Sequence, residues 1–158
     1  MSPRDAILAH VNRQLGTYEL YRALLRHADW RVPRPENATL PTVMVSDAAM
    51  TPSIWAFSTQ TAYEEACRAM NAAAIGPVGL LAHLDDALVQ DDPRVVRLTV
   101  DPFSPIAFHV QTNELASLRR MARAVRVERA MHERDYAAVR AYDRYDNMAS
   151  AKFVVHAR

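Results

Sequence analysis

Glycine is scarce in this sequence, and its scarcity excludes the common phosphate-binding loops. The chain of 158 residues contains only Gly16, Gly76 and Gly79. The dinucleotide fingerprint G-x-G-x-x-G and the Walker-type loop G-x-x-x-x-G-K-[ST] both depend on closely spaced glycines that let the main chain wrap a phosphate. Neither pattern occurs, so we expect no nucleotide-binding loop of these two types.

Cysteine occurs once, as Cys67, which excludes an internal disulfide and any metal site built from several cysteines. The six histidines form no H-x-x-x-H or H-E-x-x-H pattern, so their spacing gives no sign of a metal site. A G-x-S-x-G nucleophile elbow is also missing. We therefore expect neither a metal ion nor another cofactor, and no catalytic site of a familiar type.

Long apolar stretches are missing as well. A membrane helix needs about 20 consecutive apolar residues, and no window of the sequence approaches this. The first residues, Met1 to Asp5, include charges and lead into no apolar stretch of the kind found in signal peptides. These features predict a cytoplasmic protein without a membrane partner.

The charge balance disfavours nucleic acid as a partner. The chain has 19 basic and 18 acidic residues, for a net charge of +1, whereas nucleic-acid-binding domains usually carry a clear positive excess. The composition, 50% hydrophobic and 23% charged, is typical of a soluble globular protein. The length predicts a single domain.

Helical periodicity occurs in several parts of the chain. We predict two short helices in the first 28 residues, with Gly16 between them, and a third helix that begins near Thr59. A fourth, amphipathic helix is predicted from Leu80 to Asp91. The longest helix is predicted to begin near Thr112. Its expected apolar stripe consists of Leu115, Leu118, Ala122 and Val125.

Segments typical of strands lie between and after these helices. They are residues 30–33, 43–45, 53–57, 96–100, 106–110 and 152–155. Apolar and polar residues alternate in 96–100 and again in 106–110, which predicts an antiparallel hairpin with one buried face. The mixture of elements indicates an α+β fold with a single mixed or antiparallel sheet of about four to six strands and helices packed on its faces.

Arginines and tyrosines near the C-terminus are the candidate partner-binding residues. Four arginines of the longest helix are predicted to lie around its solvent side, where they would bind an acidic protein surface. Two tyrosines of the tail share a helical face and would add aromatic contacts. The candidate set is Arg119, Arg120, Arg123, Arg126, Tyr142 and Tyr145. The alternative is an ordinary solvated helix face.

Two other functions remain open from the residues alone. His109 and Asp101 lie near each other in the predicted hairpin and would support general base catalysis in a small enzyme. The arginine helix and the tyrosines would also suit an RNA-binding accessory protein, in which aromatic rings stack on bases. A homodimer is a further possibility, formed through an uncovered sheet edge or through a strand near Phe153.

Three segments together resemble the N-terminal domain of the SseB family, which is named for enhanced serine sensitivity. Residues 30–33 form a short strand that ends in proline, and residues 54–59 lead from a strand into a helix. Residues 98–102 place an Asp-Pro turn before a further strand and helix, with Asp101 where the family favours Asn. The resemblance covers about residues 5–130. The expected organisation is an SseB-like domain in residues 1–130 and a C-terminal helical and strand extension, residues 131–158, that packs on it.

The resemblance implies an α+β domain that has no established active site and works through contacts with other proteins. It assigns no functional residues to this chain. Together with the missing catalytic patterns, it favours a non-enzymatic, cytoplasmic interaction or regulatory domain of bacterial type. The expected partner is another protein.

Overall fold

The computed structural model describes residues 1–36, 40–45, 50–70, 78–90 and 92–133. The helices are α1 (Pro3–Val11), α2 (Thr17–Arg26), α3 (Gln60–Met70), α4 (Leu84–Leu88) and α5 (Thr112–His132). The strands are β1 (Val32–Pro35), β2 (Val43–Met44), β3 (Ser53–Ala56), β4 (Val78–Leu81), β5 (Arg97–Val100) and β6 (Phe108–Gln111). The predicted α+β fold is confirmed. No helix in this part of the chain is both long enough and apolar enough to cross a membrane.

The strands form two sheets. A four-stranded sheet has the order β2-β3-β5-β6, in which β3 and β5 are parallel and the other neighbours are antiparallel. The remaining strands, β1 and β4, pair with each other in an antiparallel two-stranded sheet. A single bridge between Arg31 and Phe57 connects the segments before β1 and after β3.

The predicted hairpin of β5 and β6 is present. Leu98 lies opposite Val110, and Val100 lies opposite Phe108. Because side chains alternate between the two faces of a sheet, these residues share one face. Leu98, Val100 and Val110 are buried, as the alternating pattern predicted.

The main core lies on that face, beneath four of the helices. Helices α1, α2, α4 and α5 all contribute buried residues to it, together with the sheet. Helix α5 supplies Leu115, Leu118 and Ala122 of the predicted stripe, and Val125 packs against the core only in part. A second apolar cluster joins α3 to the end of β3. It consists of Trp55, Phe57, Ala62 and Ala66.

The start of each of two helices is fixed by a short side chain. Ser2 caps α1, because its Oγ accepts from the N–H of Asp5 at 3.1 Å and the Asp5 carboxylate turns back to Ser2. The Oγ1 of Thr59 accepts from the N–H of Ala62 at 3.0 Å, at the start of α3. Such caps satisfy N–H groups that the first helical turn leaves without partners.

The amphipathic helix predicted from Leu80 to Asp91 is wrong in its first half. Val78–Leu81 is strand β4, and only Leu84–Leu88 is helical. The reason is tertiary pairing: β4 lies alongside β1 in register, and the N–H of Trp30 donates to the C=O of Ala82 at 2.9 Å. An apolar segment of this length satisfies either pattern, and the neighbouring strand decides between them.

The first helix is less buried than its periodicity predicted. Ile7 is buried, but Leu8 is 43% exposed and Val11 is 62% exposed. The predicted closing strand at residues 152–155 lies outside the described residues. So does nearly all of the predicted extension, since the described chain ends at Glu133.

Candidate functional site

The buried carboxylate of Asp101 organises the polar contacts at the end of β5. Its Oδ1 accepts from the N–H of Ser58 at 2.7 Å, and its Oδ2 accepts from the Ser58 hydroxyl at 2.5 Å. Its own N–H donates to the C=O of Ala56 at 2.9 Å. Asp101 is 1% exposed. The carboxylate therefore joins the end of β5 to the segment that leads from β3 into α3.

Arg4 brings a positive charge from α1 to the same carboxylate. Its Nε lies 3.6 Å from Oδ2 of Asp101, and its Nη2 donates to the Ser104 hydroxyl at 3.4 Å. The Arg4 side chain is 42% exposed, so solvent screens this pair and its own contribution to stability is small. The strong contacts of Asp101 are the two with Ser58.

The turn after β5 contains two residues in the left-handed region of backbone conformation. Asp101 has φ 47° and Phe103 has φ 68°. For a bulky residue such as phenylalanine this conformation is uncommon and strained. The Phe103 ring is 55% exposed, and its edge packs against Trp55 with ring centroids 5.5 Å apart. An exposed aromatic ring is thus held on a strained turn beside a buried tryptophan.

The hypothesised catalytic pair of His109 and Asp101 is not formed. The Nδ1 of His109 lies 3.0 Å from the hydroxyl of Thr99, which is the residue opposite it on β5. Asp101 is bonded to Ser58 and lies near Arg4, and no hydrogen bond joins it to His109. The two residues that sequence reasoning brought together therefore have separate partners.

The α5 arginines differ from one another in their surroundings. Arg120 is exposed as predicted, whereas Arg119, Arg123 and Arg126 are half-buried. The Nε of Arg126 lies 3.0 Å from Oδ1 of Asp86 on α4. Three of the four arginines are therefore less exposed than predicted, and for Arg126 the reason is its ion pair with Asp86 on α4. Tyr142 and Tyr145 lie outside the described residues.

A second buried aspartate lies between α4 and α5. Arg129 Nη2 donates to Oδ2 of Asp85 and to Oδ1 of Asp86, each at 2.9 Å. Asp85 is fully buried, and its Oδ1 has no hydrogen-bond partner among the residues that the structure describes. Burial raises the pKa of the Asp85 carboxyl, although Arg129 opposes the shift. The effect of burial on the pKa exceeds that of Arg129, because one carboxylate oxygen receives no donor from the described residues.

A third carboxylate shows the opposite behaviour. Asp92 accepts from the Nε and Nη2 of Arg94, with the shortest contact at 2.6 Å, and from the Arg94 N–H at 3.0 Å. These hydrogen bonds hold the pKa of the Asp92 carboxyl below its ordinary value. Both oxygens are satisfied here, so the charged form is favoured.

Sequence reasoning missed the roles of Asp85, Ser58 and Arg4. The sequence contains one indication that Asp85 is buried. Asp85 lies four residues before the buried Val89, and residues at this spacing share one side of a helix. Ser58 and Arg4 meet Asp101 across large separations in sequence, and no local pattern predicts such contacts.

Metal-binding chemistry finds no support in the described part of the chain, where no group of three or more histidine, cysteine, aspartate or glutamate side chains is placed to hold an ion. No protein-family model, no curated protein and no solved structure matches the chain.

Proposed function

We propose that this protein is a non-enzymatic interaction or regulatory domain, similar to the SseB family, that acts by binding another protein. The single observation that supports the proposal is the use of the buried polar side chains. Enzyme sites commonly gather several polar side chains at a pocket, where they contact the substrate. Here each of the buried polar residues in the described part of the chain has a partner within the fold, and only Asp85 among them leaves one oxygen without a donor.

These partners can be traced for all six buried polar residues. Asp101 is bonded to Ser58, Asp85 to Arg129, Asp92 to Arg94, Thr99 to His109, and Ser53 to Arg97 and Thr51. Three of these contacts join two helices or two strands, and the contact of Asp101 with Ser58 joins the segments that follow β5 and β3. They therefore stabilise the arrangement of the elements. Polar groups used in this way contribute to the fold rather than to a reaction.

Two exposed features supply the proposed contact surface. Arg120 is an exposed cation on α5, and we propose that it faces an acidic partner. Phe103 is an exposed aromatic side chain on a turn with a left-handed backbone, and its ring contacts Trp55. Arginine and aromatic residues are the types that most often dominate binding energy at protein interfaces.

The test is affinity capture from the native host, followed by quantitative binding with the purified partner. Tagged wild-type chain is compared with Arg120→Glu, Phe103→Ser and Arg22→Glu, the last being a matched charge reversal at an exposed arginine of α2. We expect a stoichiometric partner whose dissociation constant rises at least roughly tenfold in the first or second variant and is unchanged in the third. Failure to capture a partner, or equal loss in all three variants, would contradict the proposal.

A further inference from the structure

Among the described residues, one strand edge of the two-stranded sheet has no main-chain partner. In this part of the chain β4 pairs with β1 alone, and the register places Pro33 opposite Leu80 and Pro35 opposite Val78. Proline has no N–H, so these opposed residues cannot exchange two hydrogen bonds. In an antiparallel ladder they must then be the pairs whose main-chain groups point outward. The N–H and C=O of Leu80 therefore face away from β1.

An independent contact supports this orientation. The C=O of Pro33 accepts from the N–H of Thr42 at 2.8 Å, so it points away from β4. Residues opposite each other in an antiparallel pair both point inward or both point outward, which places the main-chain groups of Leu80 on the outer side of β4. No hydrogen bond involving the described residues reaches Leu80 there.

The two edges of this sheet differ in how they are protected. On β1, Pro33 and Pro35 remove the outward N–H groups, and Thr42 occupies the outward C=O of Pro33. On β4 the sequence Val-Gly-Leu-Leu contains neither proline nor charge, and Leu80 is 41% exposed. Natural proteins usually protect an exposed edge with charge, proline or a covering element. β4 has neither of the two devices that its own sequence could supply.

We propose that β4 pairs with β4 of a second copy of this chain, antiparallel across a two-fold axis at Leu80. The two Leu80 residues would exchange both main-chain hydrogen bonds, and their exposed side chains would meet on one face. The sheet would then run β1-β4-β4-β1 over two copies. A four-stranded sheet is more stable than a two-stranded one, which is marginal by itself.

The blocked outer edge of β1 favours pairing of β4 with β4 of a second copy. Because β1 offers no N–H on its outer side, β4 cannot continue onto β1 of another molecule, and pairing of β4 with β4 closes at two copies. A single strand pair buries less than the roughly 1,600 Å² of a typical stable interface. We therefore expect a weak dimer whose population depends on concentration. The proposed dimer is independent of the proposed function, in which the chain binds a partner protein of another kind.

Sedimentation equilibrium over about 1 µM to about 1 mM of the full chain tests the proposal. Leu80→Pro removes the outward N–H and leaves the inward ladder bonds in place, as Pro33 and Pro35 already do on β1. Leu80→Lys adds charge at the edge. Leu8→Lys is the matched control, because Leu8 on α1 is 43% exposed against 41% for Leu80. Thermal melts check that all variants fold.

We expect the wild type and Leu8→Lys to dimerise equally, and both Leu80 variants to dimerise at least roughly tenfold more weakly. A double variant, Leu80→Cys with Cys67→Ser, should form a disulfide-linked dimer when oxidised glutathione is added to take up the two electrons and two protons of the thiols, since paired residues in such a ladder lie about 5.5 Å apart between Cα atoms. A chain that stays monomeric throughout, or a dimer that Leu8→Lys weakens as much as Leu80→Lys, would overturn the proposal.

Discussion

The two faces of the four-stranded sheet carry different kinds of side chain. The row on one face is apolar and crosses all four strands: Val43, Ile54, Leu98 and Val110. The adjacent row points to the other face and is mixed over three strands: Trp55, Thr99 and His109. The first row packs beneath four helices, whereas the second combines an aromatic cluster with a hydrogen bond between side chains.

The difference separates two kinds of stabilisation. Apolar packing has no preferred direction and depends mainly on the area removed from water, so its stabilisation is spread over many residues. A buried hydrogen bond depends on particular donor and acceptor positions, and losing one partner leaves the other without compensation. We therefore expect truncations on the first face to cost stability in proportion to volume. On the second face, the cost should depend on which partner is removed.

The largest expected effect is on the apolar face. Leu98→Ala removes a fully buried side chain from the centre of the main core, and such changes typically cost about 2–5 kcal/mol because they leave a cavity. Thr99→Ala, one residue further along β5 and on the opposite face, loses a hydrogen bond worth about 0.5–1.5 kcal/mol. Urea unfolding of both variants measures the two costs. Equal losses would remove the distinction between the faces.

The next effect concerns the carboxylate at the end of β5. Asp101→Ala leaves the buried N–H of Ser58 without its acceptor, which should lower the free energy of unfolding by about 1–3 kcal/mol. Asp101→Asn is the control, because asparagine tolerates a positive φ and keeps an acceptor oxygen. Chemical unfolding should rank the variants wild type, Asn, Ala. If Asn and Ala are equally destabilised, the charge and its pair with Arg4 matter more than the hydrogen bond to Ser58.

A smaller, pH-dependent effect is expected from Asp85. Because its pKa is raised in the folded state above the ordinary value of 3.8, the folded chain binds a proton more tightly than the unfolded chain. Its contribution to stability is therefore complete below the unfolded pKa and is lost as pH rises through the folded pKa. Asp85→Asn should abolish this dependence. Melting temperatures of wild type and variant between pH 4 and neutrality, in about half-unit steps, measure the difference.

The carboxylate of Asp92 provides the internal contrast. Its pKa is lowered by Arg94, so its contribution is present above the unfolded pKa and is lost as pH falls through the folded value. The two aspartates therefore act in separate pH ranges, Asp85 above 3.8 and Asp92 below it. If the stability difference between wild type and Asp85→Asn stays constant above pH 3.8, the carboxyl is not perturbed by burial.

The same contrast explains how much the sequence could predict. The alternation of Leu98 and Val100 with polar neighbours was enough to predict the hairpin and its buried face, because a strand with one wet side has a fixed period. Leu80 and Leu81 fitted a helix equally well, and only the neighbouring β1 decided for a strand. Local pattern thus predicts an element where its period is unambiguous.

Local sequence patterns do not predict the hydrogen-bond partners of the buried polar side chains. The predicted hairpin brings Asp101 and His109 close together, but Asp101 is bonded to Ser58, which is 43 residues away. The helical pattern places Arg126 of α5 on the solvent side, yet its Nε lies 3.0 Å from Oδ1 of Asp86 on α4. The residues that lie next to each other across β3 and β5 follow from the parallel pairing of these two strands. Because parallel strands are joined by a long connection, this pairing is known only once the complete strand order is known.

The smallest expected effect on stability belongs to Phe103, where strain and contact oppose each other. Phe103→Asn relieves a left-handed conformation that costs a bulky residue about 1–2 kcal/mol. It also loses an edge contact with Trp55 worth about 0.5–1.5 kcal/mol. The net change in stability should therefore be below about 1 kcal/mol. Phe103→Ala keeps a side chain on the strained backbone and loses the ring, so it should be the less stable of the two.

The comparison of these two variants isolates the strain. Denaturant unfolding gives the difference between Asn and Ala, and the proposed partner interaction should weaken equally in both because each lacks the aromatic ring. A residue retained only for packing would instead show a clear loss of stability in Phe103→Asn and no loss of binding. Unchanged stability of Phe103→Asn together with weaker partner binding in both variants would support the proposed contact of this exposed, strained ring with another protein.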